Sequence, residues 1–291
     1  MICHTRVFYA SIIPLYDISW LNCYKKNAFC ESDIFTKYGN WVPAAMMKTC
    51  GVAIGVVALL TILSVVFHFN IPAIVLGIIL IVLIGFTGYM KKCRDIFDFN
   101  KGGFMGKVHQ YLVDHMKWDG NGNLLDIGCG AGALTIRCAK TYPDAKLIGM
   151  DYWGAEWSYA KEQCEANAKA EGVAERITFQ KGDAGKLDFA SESFDAAVSN
   201  FVFHEVRSQS DKRQVVREAL RVVKKGGSFA FQDMFEKKEL YGDMNAFIEE
   251  LKAEGIAEVH YIGNVEKEDF VPKFVTAPWM INGVGLIYGK K

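Results

Sequence analysis

The residues with the most chemical promise lie between Asp126 and Glu205. Gly128-Cys129-Gly130-Ala131-Gly132 directly follows the apolar stretch Leu124–Ile127 and precedes a helical pattern over Ala133–Thr141. Glycines at a strand-to-helix turn let the backbone approach a ligand where side chains would block it, and they permit positive φ angles. Asp151 ends the next apolar stretch, Lys146–Met150, where a carboxylate is placed to accept both hydroxyls of a ribose. Gly128, Gly130 and Ala133 also satisfy the dinucleotide spacing G-x-G-x-x-A, so the loop alone leaves two classes of ligand open. Asp126 discriminates between them. A carboxylate two residues ahead of the first glycine suits a cationic ligand end, such as an amino group, better than a pyrophosphate. Gly182-Asp183-Ala184 closes the third strand with an acid suited to an exocyclic amine. His204, just past the fourth strand, is the first candidate for a proton acceptor because imidazole titrates near neutrality. Glu205 is the second, and the competing reading of His204 is a capping or packing role at a helix entry.

Two further runs follow in order, Phe194-Asp195-Ala196-Ala197-Val198-Ser199-Asn200 and Val223-Lys224-Lys225-Gly226-Gly227-Ser228-Phe229. With the glycine loop and the acids, they resemble the class I S-adenosylmethionine-dependent methyltransferases over about residues 104–232. The resemblance implies S-adenosyl-L-methionine as cofactor and a seven-stranded sheet whose last strand is antiparallel. It implies that Gly128, Gly130 and Gly132 line the methionine part and that Asp126 holds the amino group, directly or through water. It places Asp151 on the ribose, Tyr152 and Trp153 on either side of the adenine, and Asp183 and Ala184 at the adenine edge. Asn200 and Phe201 would end the fourth strand beneath the transferred methyl. A sulfonium already makes its methyl an electrophile, so such a protein must chiefly align a nucleophile and exclude water. A base is needed only for an acceptor that is protonated at neutral pH.

The elements that must position these residues alternate. Short strands are expected at Leu124–Ile127, Lys146–Met150, Arg176–Gln180, Phe194–Phe201 and Ser228–Gln232. Helices are expected at Ala133–Thr141, Glu156–Glu171 (closed by Gly172), Asp211–Val223 and Leu240–Glu254. Strands alternating with helices give an α/β, doubly wound, mostly parallel sheet. Val259–Ile262 and Gly285–Tyr288 are late strands without room for a crossover helix, so at least one should run antiparallel. The amphipathic stretch Phe104–Trp118, with His109 and His115, is expected to close over the cofactor rather than lie on a bilayer. Lys224 and Lys225 read as a solvated helix end. Trp157 and Tyr159, at helical spacing, read as packing more readily than as a substrate wall.

Lys+Arg and Asp+Glu number 33 each, so no bulk positive charge favours nucleic acid as a partner. The average conceals a gap: Thr49–Met90 contains no charged residue. Gly51–Phe69 and Ile71–Met90 are each close to the roughly 20 residues that cross about 30 Å of hydrocarbon. Phe69-Asn70-Ile71-Pro72 is a turn signal between them. The expectation is a two-helix transmembrane hairpin, whose glycines 51, 55, 77, 85 and 88 would allow close helix approach. Lys48 before it and Lys91, Lys92 and Arg94 after it put both ends, and the catalytic domain, on the cytoplasmic side. The expected division is an N-terminal segment at 1–45, the hairpin at 46–92 and the methyltransferase domain at 93–291.

Residues 1–45 read as irregular and poorly ordered. Val7–Leu15 is interrupted by Pro14 and makes a poor signal peptide, and Met46 or Met47 would serve as an alternative start. The eight cysteines form no Cys-x-x-Cys pair, which fits a reducing compartment and no metal site. Cys129 reads as a small filler of space, not a nucleophile. The apolar residues of Asp269–Gly283 would cover an acceptor pocket, touch lipid or pack the sheet edge. Hairpin and apolar segment together favour a small hydrophobic acceptor drawn from the bilayer: a quinone precursor, an isoprenoid, a lipid or a thiol. The competing functions are a tethered protein or nucleic-acid methyltransferase and a non-catalytic cofactor-binding scaffold.

Overall fold

The computed structural model describes residues 36–154 and 161–291. The readings of Val7–Leu15, Trp157, Tyr159 and the start of the helix placed at Glu156 lie outside the described residues. Strands β1 (Asn123–Ile127), β2 (Lys146–Asp151), β3 (Ile177–Lys181), β4 (Phe194–Asn200), β5 (Val223–Asp233), β6 (Glu258–Gly263) and β7 (Gly285–Lys290) form one sheet in the order β3-β2-β1-β4-β5-β7-β6. Pairing is parallel from β3 to β5, and β7 runs antiparallel to both its neighbours. The β6–β7 connection, residues 264–284, carries only the short 3-10 turns Val265–Lys267 and Lys273–Val275 and no crossover α-helix, and β7 returns antiparallel between β5 and β6.

Both sheet faces are buried, and the strand period sorts side chains between them. Leu124, Ala196, Val198 and Ala230 face one core; Leu125, Ile127, Ala197, Phe229 and Phe231 face the other. The first core is covered by α3 (Phe104–His115), α4 (Ala133–Thr141) and α5 (Lys161–Ala170). The second is covered by α6 (Lys212–Val222), α7 (Lys238–Tyr241) and α8 (Met244–Ala253). Asp211 starts α6 by accepting the Arg213 N–H at 3.0 Å, and Asp243 starts α8 through the Ala246 N–H at 3.1 Å.

Several expectations need correction. The helix expected over Leu240–Glu254 is two helices, because Gly242 takes a left-handed φ of +70° and Asp243 begins a new cap. β5 starts at Val223, and Lys224–Gly227 loops out of register within it, between the Phe194–Val223 and Ala196–Ser228 pairs. Lys224 is therefore no solvated helix end: its Nζ pairs with Asp195 at 2.6 Å. Helix α3 packs into the core of the domain. Six of its twelve residues, His109 included, are buried against the sheet. Burial drives the pKa of His109 down to about 3, and the Arg137 charge adds to this, so the ring is neutral.

Helices α1 (Ala44–Val66) and α2 (Asn70–Phe97) form the hairpin. Both are long and apolar enough to cross a membrane, with mean hydropathies of 2.5 and 2.7 over windows in which almost no residue is buried. The turn is Phe67–Phe69, earlier than expected, with His68 at φ +58°. Asn70–Pro72 belongs to the first turn of α2, where proline's missing N–H has no intrahelical partner to lose. A Cβ added at Gly51, Gly55, Gly77, Gly85 or Gly88 meets nothing within 4 Å, so these glycines do not serve close helix approach. Helix α2 continues seven residues beyond Met90 and buries Met90, Cys93 and Phe97 on the domain. Residues 36–43 are irregular, as expected, but tied down. The Lys37 N–H bonds Asn167 Oδ1 at 2.9 Å, Tyr38 Oη bonds Glu171 at 3.0 Å, and Val42 is buried.

Candidate active site

The chain leaves β1 through Gly128–Gly132. Gly128 has φ +75° and donates its N–H to the Met150 carbonyl at 2.7 Å. A Cβ there would lie 2.2 Å from Val202, so only glycine fits. The Gly130 N–H donates to Asp151 Oδ2 at 2.8 Å, while Asp151 Oδ1 accepts the Trp153 N–H at 2.8 Å. One carboxylate thus ties the loop after β1 to the loop after β2. Each of its oxygens keeps a lone pair that a ribose hydroxyl can use. Trp153 sits at φ +43° and donates its indole N–H to the Gly130 carbonyl at 2.9 Å. Gly132 is the N-cap residue of α4.

Tyr152 projects outward, 61% exposed, with Lys181 Nζ 5.2 Å from its ring centre. Asp183 Oδ1 accepts the Gly185 N–H at 2.8 Å and the Ser208 hydroxyl at 2.7 Å, which fixes the loop after β3. Ala184 is buried. Cys129 is buried too, and burial raises its thiol pKa, so it stays protonated as a space-filling residue.

Asp126 lies beneath the loop, 1% exposed. Its Oδ2 accepts the Thr135 hydroxyl at 2.5 Å, while buried Oδ1 has no protein partner. Burial pushes its pKa up to about 7; Asp151 adds to the rise and Thr135 opposes it. An orphaned buried carboxyl oxygen under a glycine cradle is a site prepared for a donor from outside the protein, such as the amino group of a bound ligand or the water that holds it. These residues fit the cofactor that the glycine loop implies.

The ends of β4 and β5 carry the other half. Phe201, at φ +57°, donates its N–H to the Gln232 carbonyl at 2.8 Å, and Asn200 Oδ1 accepts from Gln232 Nε2 at 3.3 Å. His204 Nδ1 lies 2.8 Å from Oδ1 of Asp233, which is 1% exposed. Asp233 Oδ2 accepts the Phe203 N–H at 2.7 Å. Burial alone would lower the His204 pKa; the Asp233 hydrogen bond and charge, with Glu205, outweigh it and hold the pKa above the ordinary value. With Asp233 accepting the Nδ1 proton, Nε2 is left as the basic nitrogen. Glu205, more exposed, stands 3.7 Å from that Nε2.

Three contributors escaped the sequence reading: Asp233, Thr135 and Trp41. Asp233 had a signal, since an acid ending a strand beside the crevice of an open α/β sheet is placed for chemistry. Trp41 had none. Its ring meets Phe201 edge-on at 4.7 Å and Phe97 at 5.5 Å, joining the end of β4 to the foot of α2.

A glycine loop after β1, an acid after β2 and a sheet with only β7 reversed define the class I methyltransferase fold. Residues 119–271, just over half of the chain, match the family described as a methyltransferase domain, and the chain belongs to that family of S-adenosylmethionine-dependent enzymes. It is 33% identical over 105 residues to a norajmaline N-methyltransferase of Rauvolfia serpentina, covering 36% of this chain and 33% of that protein. It is 29% identical over 149 residues to a ubiquinone/menaquinone biosynthesis C-methyltransferase of Geotalea daltonii, covering 47% of this chain and 60% of the relative. The chain thus spans a third to three fifths of the length of these curated relatives. A geranyl diphosphate methyltransferase solved with S-adenosylmethionine shares the fold, with a TM-score of 0.50 at 13% identity over 67% of this chain and 93% of that one.

Proposed function

We propose that this protein is a membrane-anchored S-adenosylmethionine-dependent methyltransferase acting on a small hydrophobic or lipid-like acceptor, with both hairpin ends and the catalytic domain in the cytoplasm. The observation that carries this reading is the continuity of α2. One helix leaves the uncharged span and ends at Phe97, against Trp41, which touches Phe201 at the end of β4. An acceptor dissolved in the bilayer would therefore meet the crevice at the foot of the anchor. The quinone-pathway C-methyltransferase among the relatives supports a lipid-like acceptor, and the norajmaline N-methyltransferase is a relative named for a different small molecule.

In this reading Gly128, Gly130 and Gly132 cradle the methionine part, Asp126 answers its amino group, and Asp151 holds the ribose. Tyr152, Trp153, Asp183 and Ala184 surround the adenine. The bound cofactor supplies an electrophilic methyl on a sulfonium. Asn200 and Phe201 shape the floor beneath it, and Trp41 helps exclude water. His204, oriented by Asp233, takes the acceptor's proton at Nε2; Glu205 tunes it.

The test is incubation of the full chain with methyl-labelled cofactor and a membrane extract, followed by mass identification of the labelled product. Label in an extractable lipid supports the reading. Label in protein or nucleic acid would move the enzyme to a tethered macromolecular methyltransferase. Cofactor binding without label in any fraction would make it a scaffold.

A further inference from the structure

The segment between β6 and β7 behaves in two ways. Val271, Val275 and Ile281 are buried in the core, and the Ile281 N–H closes the segment by bonding the Val275 carbonyl at 3.0 Å. Buried Glu266 fixes its far end by accepting the Gly283 and Val284 N–H groups, both at 3.0 Å. Trp279, in contrast, is 69% exposed, although the segment that carries it is fastened on both sides. A large indole held outward by a fixed loop costs exposed apolar surface unless something covers it.

The position of Trp279 along the hairpin says what does. Tyr89 Oη donates to the Phe274 carbonyl at 2.8 Å, Lys92 Nζ stands 4.3 Å from the Phe274 ring centre, and the Trp279 indole lies beside the Tyr89 hydroxyl. Counting the roughly 20 residues of a hydrocarbon crossing from Ile71 brings the bilayer boundary to about Met90. Trp279 therefore sits at the same level as Tyr89, where amphipathic aromatic rings concentrate in membrane proteins. Lys92 and Lys273, both exposed, flank the segment with ammonium groups suited to lipid phosphates.

We propose that the loop at 272–280 is a second membrane contact, with Trp279 seated in the headgroup layer of an anionic phospholipid bilayer beside Tyr89. This rests on the hairpin's crossing the bilayer. A second contact limits rotation of the domain about the hairpin and keeps the Trp41–Phe201 side of the crevice at the membrane.

The test uses the full chain in bilayers of phosphatidylcholine and phosphatidylglycerol, with or without lipid brominated near the head of the acyl chain. The Trp279 signal is the emission of the wild type minus that of Trp279→Phe, which keeps the exposed ring and the fold. That difference should lose most of its intensity in the brominated bilayer and resist quenching by aqueous iodide. Full emission with brominated lipid, together with quenching by iodide, would overturn the second contact. Alkaline carbonate extraction of the same vesicles separates the two failures. A chain that stays in the membrane with Trp279 unquenched sinks only this inference, whereas a chain released by carbonate sinks the anchored reading as well.

Discussion

The two ends of the crevice are built in opposite ways. At β1 and β2 the site consists of main chain and near neighbours in sequence: the Gly128–Gly132 loop, Asp126 beneath it, and Asp151 holding Gly130 and Trp153. At β4 and β5 it is assembled from distant parts, with His204 against Asp233 and Trp41 against Phe201 and Phe97. The first end can accept a ligand whose shape is always the same, because it spends backbone geometry on it. The second can vary its acceptor by exchanging side chains, so the fold fixes the donor and leaves the acceptor to contacts made across the chain.

The sharpest way to break this division is to alter the main chain of the donor end. Gly128→Ala drives a methyl into Val202 from a left-handed φ, which should cost about 2–4 kcal/mol of stability and abolish cofactor binding. Thermal unfolding and calorimetric titration check both; unchanged values for this variant would place the loop elsewhere in the mechanism. Next in size is Asp151→Ala, which frees Gly130 and Trp153 together with the proposed ribose contact. Cofactor affinity should fall by roughly 100-fold, the scale of one or two hydrogen bonds to a charged group, while Glu162→Ala on the surface of α5 leaves it intact.

At the acceptor end, His204→Gln should cut turnover by about 100-fold, the usual scale of a positioned base, without weakening the cofactor. Little loss would return His204 to a packing role. The pH profile sharpens the point. Because Asp233 holds the His204 pKa above its ordinary value, the neutral base appears only as pH rises through that raised pKa, and activity should rise with it. Asp233→Asn should move this limb to lower pH. The stability carried by the pair has the opposite sign: it is complete below the unfolded histidine value and fades as pH rises through the folded one.

Asp126 gives the smallest and most distinctive effect. Its folded pKa of about 7 lies above the unfolded carboxylate value, so the native state binds the extra proton and loses stability as pH climbs from about 4 to 7. Asp126→Asn should flatten that slope and raise Tm at pH 8 while weakening the cofactor. A variant as pH-sensitive as the wild type would show that Asp126 is ionised in the native state.

The same division explains what could be read in advance. At the proposed donor end the loop geometry was legible because Gly128, Asp126 and Asp151 are set by local spacing, and the mostly parallel sheet followed from alternating strands and helices, its antiparallel last strand from the family resemblance. The acceptor end was less so. Phe201, His204 and Glu205 follow a strand, but the Asp233 partnership spans β4 and β5, and no local pattern brings Trp41 to Phe201. The docked foot of α2 was hidden for another reason. Lys91, Lys92 and Arg94 mark the end of the apolar span but not of the helix, which continues because Cys93 and Phe97 find a core to enter. Gly242, one residue inside an otherwise helical pattern, broke the last helix in two because the Asp243 cap follows it.

The most direct measurement of the division between donor and acceptor ends is calorimetric titration of S-adenosylmethionine into the wild type, Asp151→Ala and His204→Gln under one set of conditions. His204→Gln should bind like the wild type and Asp151→Ala should bind far more weakly. Equal loss in both variants, or none in Asp151→Ala, would contradict it.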